Sequence, residues 1–214
     1  MISEATYLHY LNALLDGNKA ECTRIINTLL ADDTDIKEIY TKLFQRSMYR
    51  IGHLWESNRS SIAEEHIATK ITESLLNLVY PKILETPRNG KKIVITCVDK
   101  EFHEIGPRIV SDFFELNGWE SIFLGANTPA NEVLNIIKEK KPDLVGISNS
   151  FYINILRLVK LIELIKSELP EQEIIVGGQA LANDTNDVLS KFEKVTYLSG
   201  IDKLDEFIKL SQSV

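Results

Sequence analysis

The chain is poor in cysteine, in positive charge and in long apolar runs, and each shortage removes a class of protein. Its two cysteines, Cys22 and Cys97, lack C-x-x-C spacing and fall in a helical and a strand pattern. They read as small buried thiols in a reducing, cytoplasmic setting rather than as a disulfide framework. The formal net charge of −7 leaves no basic surplus for a nucleic-acid surface. No uninterrupted apolar run approaches the roughly 20 residues of a membrane span. The N-terminus has no basic start followed by an apolar core, so nothing marks the chain for export. Repeats and low-complexity tracts are also missing.

What is present divides into two parts within 214 residues. The first reads as helices only. Tyr7, Leu8, Leu11, Leu14 and Leu15 recur at helical spacing over about 3–16, and Asp16-Gly17-Asn18 stops them. A second helix runs from about Lys19 to Leu30. Asp32-Asp33-Thr34-Asp35 offers the N-cap of a third, whose stripe is Ile36, Ile39, Tyr40, Leu43, Phe44, Met48, Ile51 and Trp55. Asn58-Arg59-Ser60 breaks it. Ser61-Ile62-Ala63-Glu64 has the form of a capping box for a fourth helix, striped by Ile67, Ile71, Leu75, Leu78 and Val79. Pro81 is expected to interrupt or end that helix, and Glu85 to Gly90 to form an exposed linker. A four-helix bundle over 1–85 follows.

Over 90–214, short apolar runs alternate with helical patterns. Strands are expected near 92–98, 120–125, 143–148, 172–177 and 194–199. Helices are expected near 107–117, 130–140, 152–168, 180–190 and 202–212. This alternation predicts an α/β domain, a flavodoxin- or Rossmann-like five-stranded parallel sheet covered on both faces. The G-x-G-x-x-G of a dinucleotide-binding fold is absent, since the first glycine after strand one is Gly106. A phosphoacceptor receiver fails too, because Leu198-Ser199 stands where its lysine would follow strand five.

The stretch that remains distinctive is Glu101-Phe102-His103-Glu104-Ile105-Gly106, directly after the first strand. A histidine there points into the crevice outside the carboxyl edge of the sheet, where such sheets bind ligands. Glu101 can accept its imidazole N–H and fix the tautomer for a metal on the other nitrogen. Gly106 lets a bulky flat ligand approach the backbone. A helix-capping or loop-bonded histidine is the plainer alternative. For Trp55, Glu65 and His66, placed at one end of the bundle, the alternatives are a shared pocket or ordinary core, helix-start and polar-face roles.

The pattern E-x-H-x-x-G in this setting resembles the cobalamin-binding domain of methionine synthase, the base-off mutases and the corrinoid proteins. Gly146-Ile147-Ser148-Asn149-Ser150 after strand three matches the family's S-x-L segment in part, with Ser150 where leucine is usual. Val176-Gly177-Gly178-Gln179-Ala180 after strand four matches its double glycine. The resemblance implies that His103 replaces the cofactor's own base as lower ligand to cobalt. It also implies a slot for the displaced nucleotide tail lined by Ser148, Ser150, Gly177 and Gly178. Phe102, Ile105 and Gln179 join the cofactor-binding set on the same ground.

The spacing W-x9-E-H from Trp55 to Glu65-His66, after Ile51-Gly52-His53-Leu54, is similar to the cobalamin-dependent light-sensing transcription regulators. In that family the bundle sits over the upper face of adenosylcobalamin, and these side chains surround the adenosyl group. Two departures stand out. The bundle begins at the first residues, with no DNA-binding domain ahead of it, and Glu56 follows Trp55 where a light sensor's cobalt-trapping histidine would be, leaving His53 or His66 as substitutes. The resemblance therefore implies a stand-alone cobalamin sensor, responsive to light, that signals through a protein partner or its own oligomeric state. Adenosylcobalamin is its favoured cofactor and methylcobalamin the other candidate. The alternative is a corrinoid methyl-carrier, a binding subunit rather than an enzyme, whose cobalt shuttles a methyl group between two methyltransferases.

Overall fold

The computed structural model describes residues 1–182 and 188–211, which form two compact units, Met1–Glu85 and Thr86–Val214. The first holds α1 (Glu4–Leu15), α2 (Lys19–Ala31), α3 (36–56) and α4 (Ile62–Leu84). Each start is fixed by a side chain that accepts an otherwise orphaned N–H: Ser3 from Thr6, Asn18 from Glu21, Asp35 from Lys37 and Ser61 from Glu64. At Ser61 the bond is reciprocal, because the Glu64 carboxylate accepts the Ser61 N–H at 2.6 Å. Ser61→Ala is expected to cost the helical unit about 1 kcal/mol, measurable by urea denaturation followed by circular dichroism.

The core of this unit is Tyr10, Leu14, Ile26, Tyr40, Leu43, Phe44, Ile51, Leu75 and Val79. Four features differ from the periodicity. Residues Ile39–Gln45 are π-helical, and the wider i→i+5 turn shifts the phase of the stripe, so Ser47 is fully buried where Met48 was expected. Ile67 is exposed, because it lies in the second turn of α4, ahead of the first buried residue, Ala68. Trp55 is 39% exposed in the last turn of α3, beyond the core. Pro81 neither ends nor interrupts α4, which continues to Leu84. Its missing N–H costs one backbone bond, and with only three residues of helix left beyond it the kink it would cause displaces little.

The second unit holds β1 (Lys92–Cys97), α5 (Ile105–Leu116), β2 (Glu120–Phe123), α6 (Ala130–Lys140), β3 (Leu144–Ser148), α7 (Ile155–Glu168), β4 (Glu173–Gly177), β5 (Val195–Tyr197) and α8 (Ile201–Ser211). All described strand pairs are parallel, in the order β2-β1-β3-β4-β5. Val94, Val145, Ile147, Ile174 and Val176 form one apolar face with Val133 and Ile137 of α6 and Leu158, Ile162 and Ile165 of α7. The expected helix near 180–190 is instead a short 3-10 turn, Gln179–Leu181, and the residues 183–187 of that expectation lie outside the described residues, as does 212 of the last helix. The expected linker is in part a strap. Arg88 donates to the Trp119 carbonyl at 2.7 Å and to Glu115 at 3.2 Å, and the Asn89 N–H donates to the Gly118 carbonyl at 2.7 Å. Composition reads this stretch as loose because its partners lie about 30 residues further on.

Candidate functional site

In this strand order the chain reverses direction across the sheet between β1 and β3, which opens a crevice at their carboxyl ends. The loop after β1 fills it. Its turn is made by Lys100 at φ 62°, and the Lys100 N–H donates to Asn127 Oδ1 at 3.0 Å. The Asn127 N–H in turn donates to the Glu101 carbonyl at 3.1 Å. Glu101, so fixed, is fully buried and points its carboxylate between two loops. Oε1 meets His103 Nδ1 at 2.5 Å and accepts the His103 N–H at 3.2 Å. Oε2 accepts the N–H groups of Ser150 (3.0 Å) and Phe151 (3.1 Å) and, at 3.4 Å, the Asn154 side-chain amide.

Burial would by itself push the Glu101 carboxyl up, but the His103 ring and the backbone N–H groups of Phe151, His103 and Ser150 bond the charged form and hold it at about 2. Its contribution to stability is therefore complete above about 4.5, the ordinary value, and fades as the pH falls from there to about 2. An ionised Glu101 keeps the proton on Nδ1, so Nε2 carries the lone pair that a metal needs. The His103 side chain is 52% exposed. Cys97, beneath the loop, is pushed up to about 12 by burial and then by the charges of Glu101 and Glu104, and it stays a thiol.

Around His103 the surface is apolar. Phe102 is 68% exposed, and Phe151, Tyr152 and Ile153 are exposed on the loop after β3. Contiguous exposed apolar side chains of this size mark a surface that a ligand or partner covers. Below lies a row of small residues, since Cys97 pairs with Ser148 and Ser148 with Gly177 at the ends of three adjacent strands. A Cβ added to Gly106 or Gly200 would meet nothing within 4 Å, and one on Gly177 would meet only the Leu198 carbonyl at 3.9 Å. These glycines leave room that side chains would fill. Among the described residues no group of three or more His, Cys, Asp or Glu side chains is gathered for a metal. A metal at His103 must then bring most of its ligands with it, as one in a flat macrocycle does. The residues present fit a corrinoid: one imidazole ligand, an apolar platform and an open small-residue row.

The sequence-derived set is only partly brought together. Glu101, His103 and Ser150 are in contact, although Ser150 contributes its N–H rather than its hydroxyl. Ser148 and Gly177 are neighbours, Ile105 and Gly106 open α5, and Gln179 is exposed at the start of the 3-10 turn. Gly178 has a different reason to be glycine than a passing ligand. Its φ is 96°, and a Cβ there would lie 2.2 Å from the Asn149 carbonyl oxygen. In the helical unit Glu65 meets His66 Nδ1 at 2.6 Å and accepts the Thr69 hydroxyl at 2.8 Å. Missed by sequence reasoning were Phe151, Asn154, Gly200 and Asn149. The last is a buried amide whose oxygen and nitrogen both lack a hydrogen-bond partner among the described residues, a cost of about 1–3 kcal/mol per group. Only Gly200, directly after a strand pattern, left a readable signal.

The two glycines separate binding from folding. A Cβ at Gly177 has space, so Gly177→Ala is expected to leave the melting temperature of the apo-protein within about 2 °C and, if the small-residue row is the nucleotide slot that the sequence implies, to lower cobalamin affinity. Titration by absorption spectroscopy, with a thermal melt alongside, checks both halves.

A doubly wound sheet with this histidine at its switch point fits a corrinoid-binding protein. Comparison with known families agrees: a B12 binding domain profile matches residues 91–202 and a second B12 binding domain profile matches residues 9–80. The chain belongs to the B12-binding family. The trimethylamine corrinoid protein of Methanosarcina barkeri is 22% identical over 180 residues, covering 82% of this chain and 83% of that protein. The HTH-type transcriptional repressor CarA of Myxococcus xanthus is 29% identical over 90 residues, which is 42% of this chain and 31% of the repressor. The structure of the Methanosarcina barkeri monomethylamine corrinoid protein superimposes with a TM-score of 0.83 at 16% identity, over 99% of both chains, and so shares the fold. No helix among the described residues is long and apolar enough to cross a membrane.

Proposed function

We propose that this protein is a corrinoid methyl-carrier that works with methyltransferase partners and is not itself a complete enzyme. The observation that carries this reading is the extent of similarity: the match to a trimethylamine corrinoid protein runs through 82% of the chain, whereas the match to an HTH-type transcriptional repressor runs through 42%. The expectation of a light sensor, which rests mainly on the spacing of Trp55, Glu65 and His66 after Ile51-Gly52-His53-Leu54, gains no support from these matches. When bound, the corrinoid supplies the cobalt that takes up and gives away the methyl group. The protein's share is to hold it. His103 offers Nε2 from below, Glu101 fixes the ring, and Phe102 with the loop after β3 supplies the apolar rest. Gly106, Gly177 and Gly200 leave room for the nucleotide tail.

Binding preference tests the reading. A carrier has no dedicated adenosyl pocket, so hydroxocobalamin and methylcobalamin should bind within about threefold of adenosylcobalamin. Elution from a sizing column should be the same in the dark and after green light. A strong preference for adenosylcobalamin, with a light-dependent change in elution, would restore the sensor reading.

A further inference from the structure

The His103 ring is held on two sides, and only one of them is the carboxylate. The ring of Phe151 stands perpendicular to it, with centroids 4.5 Å apart and an interplanar angle of 88°. Phe151 also gives its backbone N–H to Glu101 Oε2 at 3.1 Å, so a single residue touches both the imidazole and the group that orients it. Its own position is fixed from behind, where its carbonyl accepts the Asn154 N–H at 3.0 Å and starts the 3-10 turn Tyr152–Asn154. The Phe151 ring remains 44% exposed, so it is a wall beside the histidine and not part of the buried core.

We propose that Phe151 is a positioning residue for the lower-ligand histidine, holding the imidazole plane in its metal-binding orientation whether or not a metal is bound. The physical need is specific. The last torsion of a histidine side chain is broad and roughly two-fold, so one hydrogen bond at Nδ1 fixes a direction but leaves the ring free to rock about it. A perpendicular aromatic neighbour removes that freedom. A ring already in place loses less rotational freedom on coordination, which raises affinity without adding a contact to the ligand. Rings in this arrangement favour contact by about 2- to 12-fold over separation. This inference rests on the assignment of His103 as metal ligand, and it adds a residue 48 positions away that no motif connects to it.

The test is a double-mutant cycle with hydroxocobalamin as the probe. Phe151→Leu keeps the backbone N–H and the apolar surface but removes the flat ring. It should lower affinity about 2- to 12-fold, Phe151→Tyr should restore it, and in a His103→Ala background Phe151→Leu should change nothing. An equal loss in both backgrounds would mean that Phe151 touches the corrin itself, and no loss in either would mean that the ring does nothing; both overturn the proposal. A second measurement needs no cofactor. In the apo-protein, NMR relaxation of the His103 ring should show a ring held rigid, which Phe151→Leu makes more mobile. An unchanged ring signal in that variant also overturns the proposal. Failure of the unsubstituted protein to bind hydroxocobalamin at all would instead remove the carrier reading, and the proposal with it.

Discussion

His103→Ala is expected to keep the fold, at some cost in stability, and to remove histidine coordination of cobalt completely. The side chain is half exposed, so its loss opens no enclosed cavity, and Glu101 loses the ring nitrogen but keeps the N–H groups of Ser150 and Phe151. Cobalamin affinity should fall by more than the 10–100-fold typical of losing an outer-shell partner of a metal ligand, because here the ligand itself is lost. Glu101→Gln is the milder case. It retains an oxygen acceptor but buries an amide among donors, so affinity should fall within that 10–100-fold range. Absorption spectra of both variants titrated with cobalamin check the order. Equal losses, or a greater loss in Glu101→Gln, would contradict the division of roles.

The largest expected effect on stability belongs to Gly178→Ala. With φ 96° and ψ 168°, Gly178 occupies a region that residues with a Cβ essentially never adopt, a strain of about 1–3 kcal/mol. The added atom would also sit 2.2 Å from the Asn149 carbonyl oxygen and 2.6 Å from its carbon. That backbone cannot step aside cheaply. The Asn149 N–H donates to the Gly177 carbonyl at 3.0 Å, and its carbonyl accepts the Ala180 N–H at 3.2 Å. A total loss of at least about 3 kcal/mol follows, roughly 6–12 °C in the melting temperature for a chain of this size. A melting temperature unchanged in Gly178→Ala would show that the loop is not packed as described.

The difference between the two adjacent glycines marks where sequence reading reaches its limit. Both stood out, because a double glycine after a strand signals close approach, but only the structure shows that one has room for a Cβ and the other is packed against a backbone carbonyl. The Glu101–His103 pair was legible for the opposite reason. The two residues bond each other within three positions, so order along the chain nearly equals order in space. The same holds for the capping box at Ser61-Glu64 and for the alternation that gave five parallel strands. Phe151 and Asn154 reach Glu101 from about 50 residues further on, and that distance carries no pattern. Where the α3 stripe leaves the core was not legible either, because helical spacing does not reveal that burial ends before Trp55.

Electron paramagnetic resonance of the reduced, cobalamin-loaded protein tests the central claim most directly. A single unpaired electron on divalent cobalt splits its signal according to the nuclear spin of the nitrogen below it. With histidine labelled by nitrogen-15, coordination by His103 should give doublets, and these should vanish in His103→Ala. Triplets in the labelled protein would show the cofactor's own base still bound to cobalt, and would contradict the account.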